Sequence, residues 1–239
     1  MVIKTRGIIL RTVKYSETSI IADIYTEESG LRSYIISGVR TQRSKVAMGL
    51  LQVTSLVDIV AYNAQGKLNR IKEIHAAHVY NTMPFDIRRS SIGLFMAEVA
   101  RRTIRESEEN KVLFAFLFDI FRFLDETTER FTNLHLSFLI ELSGHLGFNP
   151  YEGDYTEGAV FDLKNGIFTQ NTVGHSHFLN ENLTNILRGL LSTSWHQSHL
   201  VKINHDERRL LIGELLKFYQ FHLDNFPDIN SFKILQEIF

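Results

Sequence analysis

The chain has 239 residues, of which 44% are hydrophobic, 11% aromatic and 22% charged, and its formal net charge is -1. A disordered chain has few aromatic residues and a nucleic-acid-coating polycation has a large net charge, so both are excluded. The chain has no cysteine, which excludes disulfides, thiolate nucleophiles and sulfur-ligated zinc. No signal peptide and no long apolar run is found, so a cytoplasmic location is expected.

The net charge of the whole chain is close to zero, but two parts of the chain differ in charge. Residues 1–80 have a net charge of +5, and the remainder has a net charge of -6. Such an asymmetry indicates two surfaces with different partners, and a basic surface is what a polyanion requires.

Residues 1–80 consist of short runs rich in β-branched and aromatic residues, separated by turns, which is typical of strands. Five short strands suit a small closed barrel, because closure removes exposed sheet edges. An SH3-like barrel fits this pattern almost as well. The predicted strands are Val2–Tyr15, Thr18–Thr26, Leu31–Val39, Leu51–Tyr62 and Lys67–His75.

After Pro84 the spacing of apolar residues becomes helical, so a boundary is predicted near residues 81–84. Asn204 and Glu207 have the spacing of a helix capping box, and Asn165-Gly166 between apolar runs predicts a hairpin. The predicted helices are Ile87–Arg105, Lys111–Leu124, Phe131–Leu146, Leu179–Leu191, Asn204–Asn225 and Ser231–Phe239.

Motifs for catalysis are missing from the sequence: it has neither type of phosphate-binding glycine loop and no G-x-S-x-G elbow. Imidazole groups alone can bind zinc, copper or nickel, so a metal-dependent enzyme is an alternative. No carboxylate lies at a diagnostic spacing, however, and we predict no catalytic residue and no metal site. The histidines concerned are His175, His177, His196, His199 and His205.

The segment from Leu31 to Ala47 has four basic residues and no acidic one. Arginine and lysine spaced two to three residues apart in a loop can follow successive phosphates. Exposed tyrosine rings would stack on unpaired bases, and Tyr15, Tyr25 and Tyr34 are the candidates. The alternative is an ordinary solvated loop beside core tyrosines.

Several segments in a fixed order carry a resemblance to a known family. They are Gly7 to Thr12, Tyr15 to Ser19, Thr26 to Gly30, Ser37 to Lys45, Leu51-Gln52, Val57 to Ile59, Arg208 to Leu211, Tyr219, His222 and Phe232 to Leu235. Together they make the whole chain resemble the RecO family of bacterial recombination mediators, of the type found in Bacteroidetes.

The resemblance implies an α+β protein: a five-stranded OB-fold β-barrel at residues 1–80, then an α-helical domain at 81–239 with a small β-hairpin insertion. It also implies a protein without enzymatic activity, cofactor, membrane or small-molecule substrate. Such a protein binds single- and double-stranded DNA in the cytoplasm, at the nucleoid. It anneals complementary strands and, with RecR, helps load RecA onto DNA coated by single-stranded DNA-binding protein in RecF-pathway repair.

The residues that match the family's strand and loop are Arg40, Arg43 and Lys45, and the resemblance implies that they contact DNA. Other basic residues of the first part are added on charge alone: Arg32, Lys4, Arg6, Arg11 and Lys14. If the protein were instead an adaptor that binds only other proteins, this loop would have no DNA-binding role.

The acidic helical part is expected to bind protein partners. The resemblance implies docking of the acidic, Phe-ended tail of single-stranded DNA-binding protein, which needs an apolar pocket beside a cation. Candidate cations are Arg101, Arg102, Arg105, Arg122 and Arg130.

Many family members have a four-cysteine zinc site where this chain, at residues 148–170, has none. The zinc binding of those family members is therefore not expected for this chain, and a metal-free hairpin is expected. The residues expected to stabilise it are Tyr151, Tyr155, Phe161 and Phe168.

Overall fold

The computed structural model describes residues 2–39, 48–62, 68–105, 108–151, 158–172 and 174–239. The chain divides into two compact units, Met1–Glu126 and Thr127–Phe239, which are described separately. In the described part of the chain, no helix is long and apolar enough to cross a membrane.

The first unit contains a closed five-stranded barrel with the strand order β1-β2-β3-β5-β4. Strand β1 is long, and it pairs with β4 through its first half and with β2 through its second half. This architecture confirms the predicted OB-fold class. The strands are β1 (Val2–Lys14), β2 (Ile20–Thr26), β3 (Gly30–Ile36), β4 (Leu56–Tyr62) and β5 (Asn69–Ala76).

The alternation of apolar residues determines which side chains fill the barrel. Ile20, Ala22 and Ile24 lie in the barrel core, as their period of two predicts. In β1 the register shifts between Ile9 and Arg11, so one extra residue is accommodated there. Residues after this bulge therefore change face: Ile9 lies in the core and Arg11 lies outside, opposite Asp23.

The run predicted as a strand from Leu51 to Tyr62 is divided in the structure. A short 3-10 helix occupies Met48–Leu51, and β4 begins only at Leu56. Between them Thr54 has a positive φ of 80° and donates its backbone N–H to the carbonyl of Ile9 over 2.7 Å. The predicted start of this strand was wrong because Leu51 is an apolar residue of the barrel core that does not lie in a strand.

Two helices complete the first unit, α1 (Ile87–Thr103) and α2 (Lys111–Glu126). Asp86 caps α1 by accepting hydrogen bonds from the backbone of Arg88 and Arg89. The unit defined by contacts therefore extends through α2, beyond the boundary predicted near residues 81–84. That boundary between a barrel domain and a helical domain stays a prediction.

The second unit is mainly helical, and its helices match the predicted ones to within a few residues. Asn204 and Glu207 form the predicted capping box at the start of the helix His205–His222. A 3-10 helix at Trp195–Leu200 was not predicted. The elements are α3 (Leu134–His145), β6 (Val160–Asp162), β7 (Ile167–Thr169), α4 (Glu181–Leu191), α5 (His205–His222) and α6 (Ser231–Ile238).

Strands β6 and β7 form the predicted hairpin, which packs through aromatic rings. Phe161 is fully buried, with its ring centroid 5.0 Å from that of Phe168 and 5.6 Å from that of Phe218. The side chain of Tyr151 is exposed, but its backbone pairs with Ile167 and donates to the carbonyl of Gly166 over 2.8 Å, so Tyr151 joins the hairpin through its backbone and not through its ring. Tyr155 lies outside the described residues.

Candidate nucleic-acid interface

A groove of about 330 Å³ opens at the end of the barrel where β1 ends. Tyr15 follows directly on this strand and its side chain is 59% exposed. The groove therefore has a largely apolar lining with one lysine side chain, and the exposed ring of Tyr15 belongs to the next residue along the chain. It is lined by Thr12, Val13, Lys14, Ile20, Met48 and Leu51.

The predicted DNA-contacting residues Arg40, Arg43 and Lys45 lie outside the described residues. The chain on either side of them is described: Val39 is buried in the barrel core and Met48 lines the groove. The preceding strand β3 ends at Ile36, which pairs with Ile20, and Ile20 pairs with Lys14. Both flanks of segment 40–47 therefore lie at the end of the barrel that carries the groove.

Arg6 has an acidic partner in the structure. Its guanidinium donates to both carboxylate oxygens of Glu27, over 2.9 and 2.7 Å, and these hydrogen bonds lower the pKa of Glu27. The same guanidinium lies 5.5 Å from the ring centroid of Phe114 and 5.0 Å from that of Phe118. Arg6 therefore has a structural role in joining the barrel to α2.

The remaining basic candidates are spread over the barrel. Lys4 is exposed on the first half of β1, and the ten residues that separate it from Lys14 span about 33 Å of extended strand. Arg32 donates its Nε to the carbonyl of Ser29 over 3.1 Å, at the turn end of β3 and away from Ile36. Among the basic residues that were added on charge alone, only Lys14 lines the groove.

Arg11 lies on the outer face of the barrel and donates its Nε to Asp23 over 2.7 Å. Arg101, from the last turn of α1, lies 3.7 Å from the same carboxylate oxygen. Two guanidinium groups therefore lie beside one carboxylate oxygen, and only that of Arg11 is within hydrogen-bond distance of it. This grouping was not predicted, because it joins three segments that are distant in sequence.

Two of the three tyrosines suggested as stacking partners are in the core. Tyr25 and Tyr34 are 1% and 0% exposed, so neither ring is available to a base and that suggestion was wrong. Tyr62 was not predicted as a stacking residue, but it is 46% exposed and lies opposite Arg70 in the β4–β5 pair. The strand pattern could have predicted the exposure of Tyr62, since Tyr62 is the last residue of an alternating run.

Of the histidines that suggested a metal site, His175 and His177 lie close together, with 5.7 Å between their ring centroids. His175 contacts Asp162 over 3.3 Å, His199 lies 3.8 Å from Glu129, and His205 contacts its neighbour Asp206. Within the described ranges no three histidine or acidic side chains are grouped to hold a metal ion.

Comparison with known proteins identifies the family. Residues 1–80 match the family model "Recombination protein O N terminal", and residues 84–228 match "Recombination protein O C terminal". The chain is 37% identical to DNA repair protein RecO of Phocaeicola vulgatus and 36% identical to that of Bacteroides fragilis, over the full length of both chains in each case. It is also 34% identical to DNA repair protein RecO of Flavobacterium johnsoniae, again over both full chains. With both family models matched in order and the barrel and helices in place, the chain belongs to the RecO family of DNA repair proteins.

Proposed function

We propose that this protein is a DNA-binding recombination mediator that anneals complementary strands. It helps RecR load RecA onto single-stranded DNA that is coated by single-stranded DNA-binding protein. The proposal rests on family membership and on one structural observation, the groove lined by Lys14 at the barrel end that also carries the exposed Tyr15 and both flanks of segment 40–47.

The chemistry of this groove suits a single strand without sequence preference. Bases of any identity stack on an exposed tyrosine ring such as Tyr15. Lysine and arginine side chains displace the counterions condensed on phosphates, which lowers the repulsion between two backbones. A surface of this kind leaves the base edges free to pair, as annealing requires.

Fluorescence anisotropy of a labelled single-stranded oligonucleotide, titrated with the protein at several salt concentrations, tests the proposal. Sequence-tolerant binding that weakens steeply with salt is the expected result. Absence of binding even at low salt would overturn the DNA-binding function and favour a protein-only adaptor. Annealing is then measured with complementary labelled strands.

The helical part is proposed to bind protein partners, among them RecR and the acidic tail of single-stranded DNA-binding protein. The second unit contains a small, mainly apolar pocket beside two guanidinium groups, those of Arg208 and Arg209. Two guanidinium groups beside an apolar lining suit the acidic residues of such a tail. The apolar lining is formed by Ile212, Phe232, Leu235 and Phe239.

A fluorescent tail peptide measures this second interaction. Arg209→Ala is expected to weaken binding because Arg209 is exposed beside the pocket. Lys164→Ala is the control, since Lys164 is an exposed cation of the same unit that does not line the pocket. Equal loss of affinity in both variants would contradict a defined peptide site. For the alternative of a metal-dependent enzyme, metal analysis of untagged protein is decisive.

A further inference from the structure

The apolar pocket beside Arg208 and Arg209 is nearly filled in the structure. Its free volume is about 10 Å³, which is about the space that a single water molecule needs. A phenylalanine side chain is far larger, since an aromatic ring buries about 150 to 250 Å² of surface. A peptide whose aromatic side chain enters this pocket therefore has to displace a side chain that fills it.

One apolar face of α6 fills the pocket. Phe232, Leu235 and Phe239 have the i, i+3, i+7 spacing of a single helix face, and all three line the pocket. The backbone N–H of Phe239 donates to the carbonyl of Leu235 over 3.0 Å, so the helical spacing extends to Phe239. The ring centroid of Phe239 lies 5.8 Å from that of the buried His135. Phe239 is thus an aromatic side chain that already occupies the place of an incoming ring.

Residues 237–239, with the sequence Glu-Ile-Phe, have the chemistry of an acidic peptide with an aromatic residue. Glu237 is exposed and lies two residues before Phe239. Arg209 is exposed beside the pocket and makes no ion pair within the residues that the structure describes. The aromatic place is therefore filled by the chain itself, while the guanidinium of Arg209 is open to a carboxylate from another molecule.

Helix α6 is built to be released easily. It has eight residues, and a helix shorter than about 12 residues is only marginally stable by itself. Its N-cap residue Asn230 makes no side-chain cap hydrogen bond, and of its side chains only those of Ser231 and Leu235 are buried. The segment before it contains Asn225, with a positive φ of 54°, and Pro227, which separate α6 from α5. The helix can therefore unfold locally while the rest of the unit stays folded.

We propose that α6 with Phe239 is an internal competitor for the peptide site, which occupies the pocket until an acidic peptide with an aromatic residue displaces it. The peptide ring replaces that of Phe239 beside His135, and the peptide carboxylates pair with Arg209. Displacement costs the free energy that holds α6 in place, so the peptide binds more weakly than it would bind an open pocket. This inference rests on the proposed binding of an acidic tail to the helical part, and it adds the regulation of that site.

Fluorescence anisotropy of a labelled acidic peptide that ends in phenylalanine measures the competition. Phe239→Ala is expected to bind this peptide about tenfold more tightly than the wild-type protein does, because the competing ring is gone. Ile234→Ala is the matched control, since Ile234 is a half-exposed residue of the same helix that does not line the pocket, and wild-type affinity is expected. A peptide with alanine in place of its phenylalanine is expected to bind all three proteins equally weakly. Thermal unfolding checks that each variant is folded.

Hydrogen exchange of the wild-type protein tests the displacement without any substitution. The phenylalanine-ended peptide is expected to speed the exchange of the backbone amides of residues 231–239, because a displaced α6 loses its hydrogen bonds. Helix α4 (Glu181–Leu191) is the internal reference, and the exchange of its amides is expected to stay the same. If α6 were a fixed wall of the site, the peptide would instead slow the exchange of its amides.

Three results would overturn the proposal. In the first, the wild-type protein binds the peptide and Phe239→Ala binds it equally well or more weakly, so that only the proposed tail binding survives. In the second, the bound peptide slows the exchange of the α6 amides, which makes α6 a part of the site and not its competitor. In the third, neither the wild-type protein nor Phe239→Ala binds the peptide, and the proposed tail binding then falls too.

Discussion

Asp125 is the residue on which the segment between the barrel and α1 depends. Its carboxylate accepts backbone N–H groups of Asn81, Thr82 and Met83 over 2.8 to 3.1 Å, and it contacts His78 Nε2 over 3.1 Å. Burial alone would raise the pKa of Asp125, but these hydrogen bonds outweigh burial and lower its pKa to about 2.

Asp125→Asn is therefore expected to reduce the free energy of unfolding by about 3 kcal/mol, because the amide cannot replace a charged acceptor for several backbone donors. Urea denaturation measures this change. Asp119→Asn is the control on the same helix, with a half-exposed carboxylate and an expected effect within about 0.5 kcal/mol. Equal losses in the two variants would contradict a special role of Asp125.

His135 makes the second unit sensitive to acid. Its side chain is fully buried in α3, and burial, with a smaller contribution from Arg208, lowers its pKa from 6.5 to about 3. Below pH 6.5 the unfolded chain therefore binds a proton that the folded protein does not bind, so stability is complete above pH 6.5 and falls as the pH decreases.

Between pH 7 and pH 5 the wild-type protein is expected to lose about 2 kcal/mol of unfolding free energy through this histidine. His135→Leu is expected to show less loss over the same range, whatever its stability at pH 7. Chemical denaturation at the two pH values measures both losses. Identical pH dependence of the two proteins would contradict the assignment to His135.

At the scale of elements, the hairpin of β6 and β7 is stabilised by ring packing. Phe161 contacts Phe168 and Phe218, and the ring of Phe148 stacks parallel to that of His222 with 5.5 Å between centroids. Buried rings of this size contribute several kcal/mol by removing apolar surface from water.

Phe161→Ala is expected to reduce the free energy of unfolding by about 3 to 4 kcal/mol, because the ring is fully buried and leaves a cavity. A chelator is expected to leave the melting temperature of the wild-type protein unchanged. Differential scanning calorimetry measures both effects. A lower melting temperature with chelator would show that a metal ion stabilises the fold.

At the scale of the whole molecule, the basic segment 40–47 and the barrel groove are expected to act together. Replacing Arg40, Arg43 and Lys45 with alanine is expected to weaken single-strand binding and to make its salt dependence shallower by about 2 slope units, or about 0.7 for each lost phosphate contact. Anisotropy titration measures both quantities, and a melting curve is expected to change little.

Lys4→Ala is a suitable control for this triple variant, because Lys4 is an exposed cation of the same barrel, far along β1 from the groove. If the triple variant keeps the wild-type salt slope, segment 40–47 is not the phosphate-binding site. If Lys4→Ala makes the slope shallower by about 0.7, which is the change expected for each residue of the triple variant, then binding depends on the net charge of the protein and not on where the charge lies.

Features that depend on residues close together in the chain could be predicted from the amino-acid sequence. The period of two in Ile20, Ala22 and Ile24 specified which face of β2 is buried, and the Asn204 and Glu207 pair specified where α5 begins. Both are set within one element, where the backbone geometry and a local hydrogen bond are sufficient. The order of the family motifs along the chain also identified the fold class.

Which side chains are available to a ligand could not be predicted from the sequence and depends on the tertiary fold. Arg6 is paired with Glu27 and Arg11 with Asp23, across 21 and 12 residues of sequence, and neither pairing is visible in a charge count. The rings of Tyr25 and Tyr34 are buried and that of Tyr15 is exposed. Exposure and ion pairing depend on strand register and on which helix covers which strand, and these are decided by contacts between segments that are distant in the chain.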